Sequence, residues 1–292
     1  MPGLRIALVA DIHAGETRSN IESAKAFPLL TDVVQQANNA GVDLFVTLGD
    51  NVNATNREED FRHLCAVREI LDRVRAPVVP LFGNNELKFL GAERAAEALG
   101  CKATSEVLSL REWTLIFWRP TCELSLSNGL LLSDEDFSWL RDAVKEATYP
   151  SVLFLHAPID GNAMVGNYYF SERPDLASYR NAAEARSIIE GSGKVVLVLG
   201  GHVHWHSTST IDGIHHKTIP SLTDTFKADD SASEAWAILE LSRERISLDV
   251  FGREPMSWAA APRLAGTRWY RPLTKTEFEA RMGGLWSQGP TS

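Results

Sequence analysis

The sequence predicts an α/β fold built on open sheets, with its functional groups gathered at one edge. Apolar runs of strand length alternate with segments that carry apolar residues at helical spacing. Polar residues of the kinds that bind metals follow directly on five of those runs. Open α/β sheets place their functional groups just beyond the carboxyl ends of such strands, so a single origin explains five separated motifs.

Strands and helices are predicted in alternation over the first two thirds of the chain. We expect buried strands at residues 4–10, 43–48, 78–82, 152–155 and 195–200, and a hairpin from residues 107–110 and 113–118. We expect helices at residues 26–40, 57–74, 91–99, 133–147 and 176–190. Pro77 prevents the second helix from continuing, and the Ser133 hydroxyl is the expected N-cap of the fourth.

The last third of the chain changes in character. Short strands separated by turns are predicted at residues 207–211, 214–219, 235–241 and 246–251, and we expect them to complete a second sheet. From Gly252 onward the chain is rich in Trp, Arg, Pro and Gly. We therefore predict one domain over residues 1–251 and a tail over residues 252–292, which is too short for a core of its own. The tail packs on the domain or on a partner subunit, and the second option implies a homodimer.

Composition excludes several classes of function. The net charge is −9 and no block of Lys or Arg occurs, so the sequence gives no sign of the basic patch that binds a nucleic-acid backbone. Cys65, Cys101 and Cys122 are odd in number and widely spaced, which predicts free thiols in a reducing compartment. Residues 4–10 lead straight into Asp11, so they are expected to form a core strand and not a secretory signal. With no apolar stretch of membrane-spanning length, we predict a cytoplasmic protein without nucleic-acid or membrane partners.

The five motifs supply a nearly complete ligand set for two adjacent metal ions. They are Asp11-Ile12-His13, Gly49-Asp50-Asn51, Gly83-Asn84-Asn85-Glu86, His156 and Gly201-His202-Val203-His204. Mixed Asp, His and Asn ligands suit borderline ions such as Zn, Mn and Fe, whereas a calcium site would be all oxygen. Asp11 and His13 can lie side by side only if the chain bends there, and the same holds for His202 and His204.

Asp50 is the candidate for a carboxylate that bridges the two ions. Two metals about 3.5–4 Å apart can clamp the attacking and leaving oxygens of an in-line displacement and lower the pKa of a bound water toward about 7. Most of the motifs alone have a simpler interpretation, because Asp-x-His or Gly-Asp after a strand is usually a turn or cap, and His156 alone would usually be a hydrogen-bonded core residue. Gly-His-x-His is moderately specific. Their shared position at strand ends favours the metal site.

The set of motifs resembles that of the calcineurin-like metallophosphoesterases, which runs Asp-x-His, Gly-Asp, Gly-Asn-His-Asp/Glu, His and Gly-His-x-His. The resemblance covers residues 4–222. It implies a four-layered αββα sandwich of two mixed β-sheets flanked by helices, and two divalent or trivalent ions (Mn, Fe or Zn). In the family, a hydroxide that bridges the metals attacks phosphorus. The implied ligands are Asp11, His13, Asp50 and His204 for one ion, and Asp50, Asn84, His156 and His202 for the other.

One position departs from the family pattern. Asn85 stands where the family usually has a histidine that contacts the phosphoryl group and assists the departing oxygen. Asparagine can donate a hydrogen bond but has no proton to give near neutral pH. We expect Asn84 and Asn85 to bind phosphoryl oxygens, and we hypothesise that Asn85 selects diesters or anhydrides with stabilised leaving groups. Other histidines could supply a proton, although each is more often a surface or packing residue: His63, His206, His215 and His216.

Three segments are candidates for the walls of a substrate site. Asn51 and Asn53 follow the predicted bridging carboxylate. The loop 160–173 contains several glycines as well as Tyr168 and Tyr169, a profile typical of a substrate-facing lid, although its rings could equally fill the core. His206 lies on the hairpin beyond the last motif. The aromatic rings could stack on a nucleobase and would equally suit a glycerol or sugar ester.

These observations predict a phosphohydrolase that cleaves a small phosphodiester through attack by a metal-bridging hydroxide. The family resemblance suggests cyclic nucleotides or glycerophosphodiesters as substrates. One alternative is hydrolysis of a pyrophosphate bond in a nucleotide-linked metabolite, where Asn85 matters least because anhydrides leave easily. Another is a catalytically silent fold that serves as a binding scaffold. Silent relatives normally lose metal ligands, whereas this chain retains every one.

Overall fold

A computed structural model describes residues 3–17, 20–121, 123–226, 231–263 and 265–286. Cys122, predicted to be a free thiol, lies outside these residues, as do the last six residues of the predicted tail. Cys65 and Cys101 are free thiols, as predicted. Over the described ranges, no helix combines the length and the apolar character that crossing a membrane requires.

The described residues form twelve strands in two six-stranded sheets. In chain order they are β1 (Leu4–Val9), β2 (Leu44–Leu48), β3 (Val78–Leu81), β4 (Glu106–Leu110), β5 (Trp113–Phe117), β6 (Ser151–Phe154), β7 (Val195–Gly200), β8 (Ser207–Ile211), β9 (Ile214–Thr218), β10 (Trp236–Leu241), β11 (Ile246–Phe251) and β12 (Met256–Ala260). The first sheet has the order β12-β11-β10-β1-β2-β3, and the second has the order β4-β5-β6-β7-β9-β8. Both sheets are mixed, with parallel pairing along β1-β2-β3 and along β5-β6-β7-β9.

Helices cover the outer face of each sheet. The helices of the described residues are α1 (Ala26–Ala40), α2 (Arg57–Leu71), α3 (Asn84–Phe89), α4 (Gly91–Leu99), α5 (Asp134–Glu146), α6 (Ala182–Ser192) and α7 (Lys275–Trp286). One apolar cluster joins α1, α2 and α4 to the first sheet, and another joins α5 and α6 to the second. A third cluster fills the space between the sheets. The four layers are therefore helix, sheet, sheet and helix, and the predicted αββα sandwich is confirmed.

Strand β1 shows why the core strands are continuous apolar runs. Ile6 and Leu8 face the core between the sheets, whereas Ala7 and Val9 face the helices on the outside. Because both faces of the strand are buried, apolar residues are favoured at every position. The parallel strands also end at a common edge, which brings their following loops together.

The late strands divide between the two sheets, so the prediction that all of them complete the second sheet is wrong. β8 and β9 join the second sheet, but β10 pairs antiparallel with β1, with Leu4 opposite Leu241. β11 and β12 continue the first sheet as an antiparallel meander. Short-strand periodicity indicates which face is buried, but it does not indicate which sheet offers a free edge.

Strand β12 lies beyond residue 251, where the predicted tail begins, and was not predicted. Met256 and Trp258 on this strand pack against the core between the sheets. Farther along the tail, Trp269 is 58% exposed and Tyr270 is fully exposed. The first part of the tail is therefore a strand of the first sheet.

Three helix assignments differ from the structure. The helix predicted at residues 57–74 ends at Leu71. The helix predicted at residues 176–190 begins later, at Ala182, because residues 174–176 form a 3₁₀ turn that starts at Pro174. The short helix α3 was not predicted, since six residues are too few to show helical periodicity. The predicted cap of α5 is confirmed, because Ser133 Oγ accepts the backbone N–H of Asp136 at 3.1 Å.

Candidate metal centre

Five candidate ligands after β1, β2 and β7 adopt a left-handed backbone conformation. The angle φ is +50° at Asp11, +47° at His13, +50° at Asp50, +68° at His202 and +60° at His204. Residues other than glycine rarely adopt this conformation, which costs on the order of 1–3 kcal/mol each and clusters at functional sites. The predicted bends in Asp-x-His and His-x-His are therefore present, and they turn side chains that a strand would separate toward one site.

Glycines allow the loops to approach one another closely. A β-carbon added to Gly83 would lie 2.0 Å from Asp50 Oδ1. One added to Gly49 would lie 2.6 Å from His156 Nδ1, and Gly49 also has a φ of +91°. No side chain fits at either position without displacing a motif residue.

Two groups of ligand atoms meet beyond the carboxyl ends of the parallel strands. One comprises Asp11, His13 and His204, and the other comprises Asp50, His156 and His202. Within each group the ligand atoms lie within 4.8 Å of one another. His202 Nε2 donates to the Leu176 carbonyl at 2.9 Å, so that a neutral His202 presents the lone pair of Nδ1 to the site.

Hydrogen-bond acceptors converge in the second group. His156 Nδ1 donates to the Leu48 carbonyl at 2.8 Å, which leaves Nε2 with a lone pair when the ring is neutral. That Nε2 lies 3.3 Å from Asn84 Oδ1 and 3.5 Å from Asp50 Oδ1. With a neutral ring, three atoms with lone pairs face one another. A positive charge is therefore favoured between them, either the proton on His156 Nε2 or a bound cation that replaces it.

In the first group, a carboxylate orients one of the two histidines. His204 Nδ1 donates to the buried carboxylate of Asp224 at 2.6 Å, which turns His204 Nε2 into the site. That Nε2 lies 3.0 Å from His13 Nε2 and 3.7 Å from Asp11 Oδ1. Asp224 was not predicted, because it belongs to none of the motifs.

Burial and proximity displace the pKa values of the site. Burial raises the pKa of Asp11 to about 6 and lowers the pKa of both His13 and His202 to about 3. Burial also acts to lower the pKa of His156, but the Asp50 carboxylate outweighs it and raises that pKa to about 9. His13 and His202 are thus neutral at pH 7, whereas His156 carries a proton that compensates the Asp50 carboxylate.

Glu86 stabilises the loops that carry the ligands. Its buried carboxylate accepts the backbone N–H groups of Gly83 at 2.6 Å, Asp50 at 3.1 Å and Val52 at 3.0 Å. Burial and the nearby Asp50 raise the pKa of Glu86 to about 7. The sequence pattern contains Glu86 but assigned it no role.

Asn85 connects one residue of each ligand group. Its Nδ2 lies 3.1 Å from His13 Nδ1, and its Oδ1 accepts the side-chain N–H of Asn84 at 3.2 Å. Its backbone N–H also donates to Asp50 Oδ1 at 2.9 Å. With Asn84 Nδ2 bound in this way, Asn84 Oδ1 is turned toward His156, the orientation that a ligand oxygen needs.

A cavity of about 340 Å³ opens onto both groups. It is lined by His13, Ile21, Asp50, Asn53, Asn84, Asn85, Leu124, Tyr169, Phe170, Leu176, His202 and His204. The lining therefore combines potential metal ligands and amides with apolar or aromatic side chains, which form an apolar wall. None of the described residues that line it carries a Lys or Arg side chain.

The two asparagines predicted to contact substrate occupy different places. Asn53 lines the cavity, although its Nδ2 already donates to Ser23 Oγ at 2.7 Å and to the Glu16 carbonyl at 2.9 Å. Asn51 is fully buried and donates to the Leu81 carbonyl at 3.0 Å. It is not among the cavity-lining residues, because the turn after Asp50 points its side chain into the core.

The predicted aromatic and histidine contacts are also divided. Tyr169 lines the cavity, and Tyr168 packs edge-on against it while remaining 62% exposed. His206 lines a neighbouring cavity of about 120 Å³, together with Trp205 and Phe226. The other candidate proton donors do not line the cavity of the metal ligands: His63, His215 and His216.

Comparison with known protein families identifies this arrangement. The family model of calcineurin-like phosphoesterases matches residues 4–206, more than half of the chain. The chain belongs to the calcineurin-like phosphoesterase family. This calcineurin-like phosphoesterase is therefore a metal-dependent enzyme of a family with a dinuclear metal centre, and the two ligand groups are its candidate sites.

Solved structures share the fold of this phosphoesterase. A dimetal phosphatase from Danio rerio has a TM-score of 0.73 at 16% identity, covering 90% of this chain and 100% of its own. The purple acid phosphatase PPD1 from yellow lupin (Lupinus luteus) seeds has a TM-score of 0.65 at 10% identity, covering 89% of this chain and 54% of its own. GAP50, the anchor in the inner membrane complex of Plasmodium, has a TM-score of 0.57 at 14% identity, covering 98% of this chain and 95% of its own. No curated protein matches the chain in sequence.

Proposed function

We propose that this phosphoesterase hydrolyses a small phosphodiester at a centre of two metal ions. The observation that carries the proposal is the convergence of two ligand groups on one cavity. Two ions held there supply Lewis acidity and an activated nucleophile for in-line displacement at phosphorus. The donor set of carboxylates, imidazoles and an amide oxygen suits Mn, Fe or Zn. In this proposal Asp11, His13 and His204 would hold one ion, Asn84, His156 and His202 would hold the other, and Asp50 would serve both.

The side-chain amides of Asn84 and Asn85 have different roles in this proposal. Asn84 Oδ1 faces His156 and is assigned to the metal, so Asn85 is the amide left to meet a phosphoryl oxygen at the cavity wall. The backbone N–H of Asn85 holds Asp50 at 2.9 Å and limits the freedom of its carboxylate. Because asparagine cannot transfer a proton near neutral pH, we expect substrates whose leaving groups need little protonation.

The apolar wall supports a diester as the substrate class. Ile21, Leu124, Phe170 and Leu176 offer contacts to an uncharged organic substituent. A pyrophosphate bond would bring a second charged phosphate into the cavity, where the described lining contains no Lys or Arg to meet it. A diester with one organic leaving group is therefore favoured over a nucleotide-linked anhydride.

The test compares three substrates with metal-stripped protein, with and without added Mn. They are an activated aryl phosphodiester, the corresponding aryl monoester, and a nucleoside diphosphate ester. We expect Mn-dependent turnover that is fastest with the diester, and no turnover in Asp50→Asn. Asp142→Asn, which changes an exposed carboxylate on α5, is the matched control and should retain activity.

Each remaining outcome has a definite meaning. Full activity in Asp50→Asn, or turnover that does not respond to metal, would refute the two-metal centre. A preference for the diphosphate ester would support the pyrophosphatase alternative. Two bound Mn ions without turnover of any substrate would point to a binding scaffold.

A further inference from the structure

Asp224 is a buried carboxylate that contacts a proposed metal ligand without belonging to any motif. Its Oδ2 lies 2.6 Å from His204 Nδ1, and the side chain is almost completely excluded from solvent. Two further donors hold it: Tyr169 Oη donates to Oδ2 at 2.9 Å, and Asn20 Nδ2 donates to Oδ1. Asn20 and Tyr169 also contact each other, at 2.9 Å between Nδ2 and Oη.

The segment around Asp224 is already held in place by its neighbours. Ser221 Oγ donates to the Asp11 carbonyl at 2.7 Å, and the Leu222 backbone N–H donates to the Ala10 carbonyl at 3.0 Å. A buried carboxylate that meets only neutral donors is costly, so the fold alone gives no reason for a charged group at this position. Its contact with His204, a histidine of the metal site, supplies one.

We infer that Asp224 is a positioning residue for the first metal ion. It fixes the His204 ring so that Nε2 faces Asp11 and His13, and it increases the basicity of that nitrogen. Tyr169 belongs to the loop 160–173 and lines the substrate cavity, so the same carboxylate connects that loop to the metal ligand. This inference rests on the metal centre proposed above.

The test is calorimetric titration of metal-stripped protein with Mn. The wild-type chain should bind two ions. Asp224→Asn should weaken one site by about 10–100-fold, the usual effect of losing an outer partner of a metal ligand, and leave the other within about threefold. Asp224→Glu, which keeps a carboxylate, should recover part of the lost affinity. Asp212→Asn changes a largely buried carboxylate at the far turn of the β8–β9 hairpin and should leave both sites unchanged.

Three outcomes would contradict the inference, and they differ from one another. No Mn binding by the wild-type chain would refute the metal centre itself. Two wild-type sites that Asp224→Asn leaves unchanged would refute only the role of Asp224. An equal loss at both sites, with a lower urea midpoint, would indicate a structural role.

A second variant applies if Asp224→Asn does not fold. Tyr169→Phe combined with Asn20→Ala keeps the carboxylate but removes the two donors that hold it. We expect this variant to weaken the first site by about tenfold through the loosened carboxylate. Unchanged affinity at both sites would overturn the inference.

Discussion

The carboxylate of Glu86 accepts the backbone N–H of Asp50, with 3.1 Å between oxygen and nitrogen. The same carboxylate accepts the N–H groups of Gly83 and Val52, at 2.6 and 3.0 Å. These donors belong to the loops after β2 and β3, so one side chain holds both loops together. Above its pKa of about 7 the Glu86 carboxylate is ionised, and hydrogen bonds to an ionised acceptor are stronger than neutral ones. The position of Asp50, which is proposed to contact both ions, therefore depends on Glu86.

We expect Glu86→Gln to weaken both the fold and the metal centre. The side-chain amide of glutamine would point its own N–H at backbone N–H groups. In the wild-type chain, the Glu86 carboxylate accepts these groups. The free energy of unfolding should fall by about 1–3 kcal/mol, the cost of leaving a buried donor unpaired. Affinity for Mn should fall at least about tenfold, as it does when outer partners of metal ligands are lost. Urea unfolding and Mn titration measure the two effects.

The matched control is Glu97→Gln on α4. Glu97 pairs with Arg94 at 2.5 Å on the protein surface. Exposed pairs of this kind contribute little, so unfolding should change by no more than about 0.5 kcal/mol and Mn affinity should not change. Wild-type stability and affinity in Glu86→Gln would show that the loops do not need its charge.

The buried strands could be predicted because their sequences reflect burial on both faces. β7 was predicted at its observed bounds, and β1 within one residue, since each is a short apolar run that leads into a polar motif. The pairing of β10 with β1 could not be predicted, because it joins residues as distant as Leu4 and Leu241. β12 escaped prediction because alternation over five residues in a Trp- and Arg-rich tail is a weak signal.

The candidate site was predictable to the extent that strand ends define it. Asp11 and His202 were expected to meet because both follow strands that end at the same edge. Asp224 follows β9 without periodicity or a recognisable motif, so only the folded chain brings it to His204. Asn51 shows the converse, because an asparagine in a loop sequence gives no sign that its side chain is directed into the core.

Replacing Asn85 with histidine should change the dependence of the rate on the leaving group. An imidazolium at this position could protonate the departing oxygen, and positioned general acids contribute about 10²–10⁴-fold. We expect kcat/KM for alkyl diesters, which have poor leaving groups, to rise by about 10²-fold in Asn85→His. Activated aryl diesters should change little. A plot of log kcat/KM against leaving-group pKa should therefore become shallower.

Asn85→Gln is the control for the change in side-chain size, because glutamine is larger than asparagine but adds no proton donor. Because Asn85 also contacts His13 and Asn84, Mn affinity must be measured for both variants. Parallel plots for the wild-type chain and Asn85→His, with two Mn ions bound to each, would show that Asn85 does not limit the choice of leaving group.

A positive charge on the apolar wall should shift substrate preference toward anhydrides. Leu124 lines the cavity and is 36% exposed, so a lysine there can reach a second phosphate on a bound substrate. Interactions between exposed charges are worth up to about 1 kcal/mol, which corresponds to about fivefold in kcat/KM. We expect Leu124→Lys to raise the ratio of diphosphate-ester to diester hydrolysis by up to that factor. The gain should decline with added salt, because screening weakens exposed interactions.

Leu126→Lys separates a local contact from a general change in charge. Leu126 is 76% exposed and does not line the cavity, so its replacement adds the same charge nearby without touching the wall. Equal shifts in both variants would indicate a long-range field and would leave Leu124 without a specific contact. No shift in either variant would mean that the second phosphate of a diphosphate ester does not lie against this wall. A shift confined to Leu124→Lys would assign the wall to the leaving group, because only there does the added ammonium face the cavity.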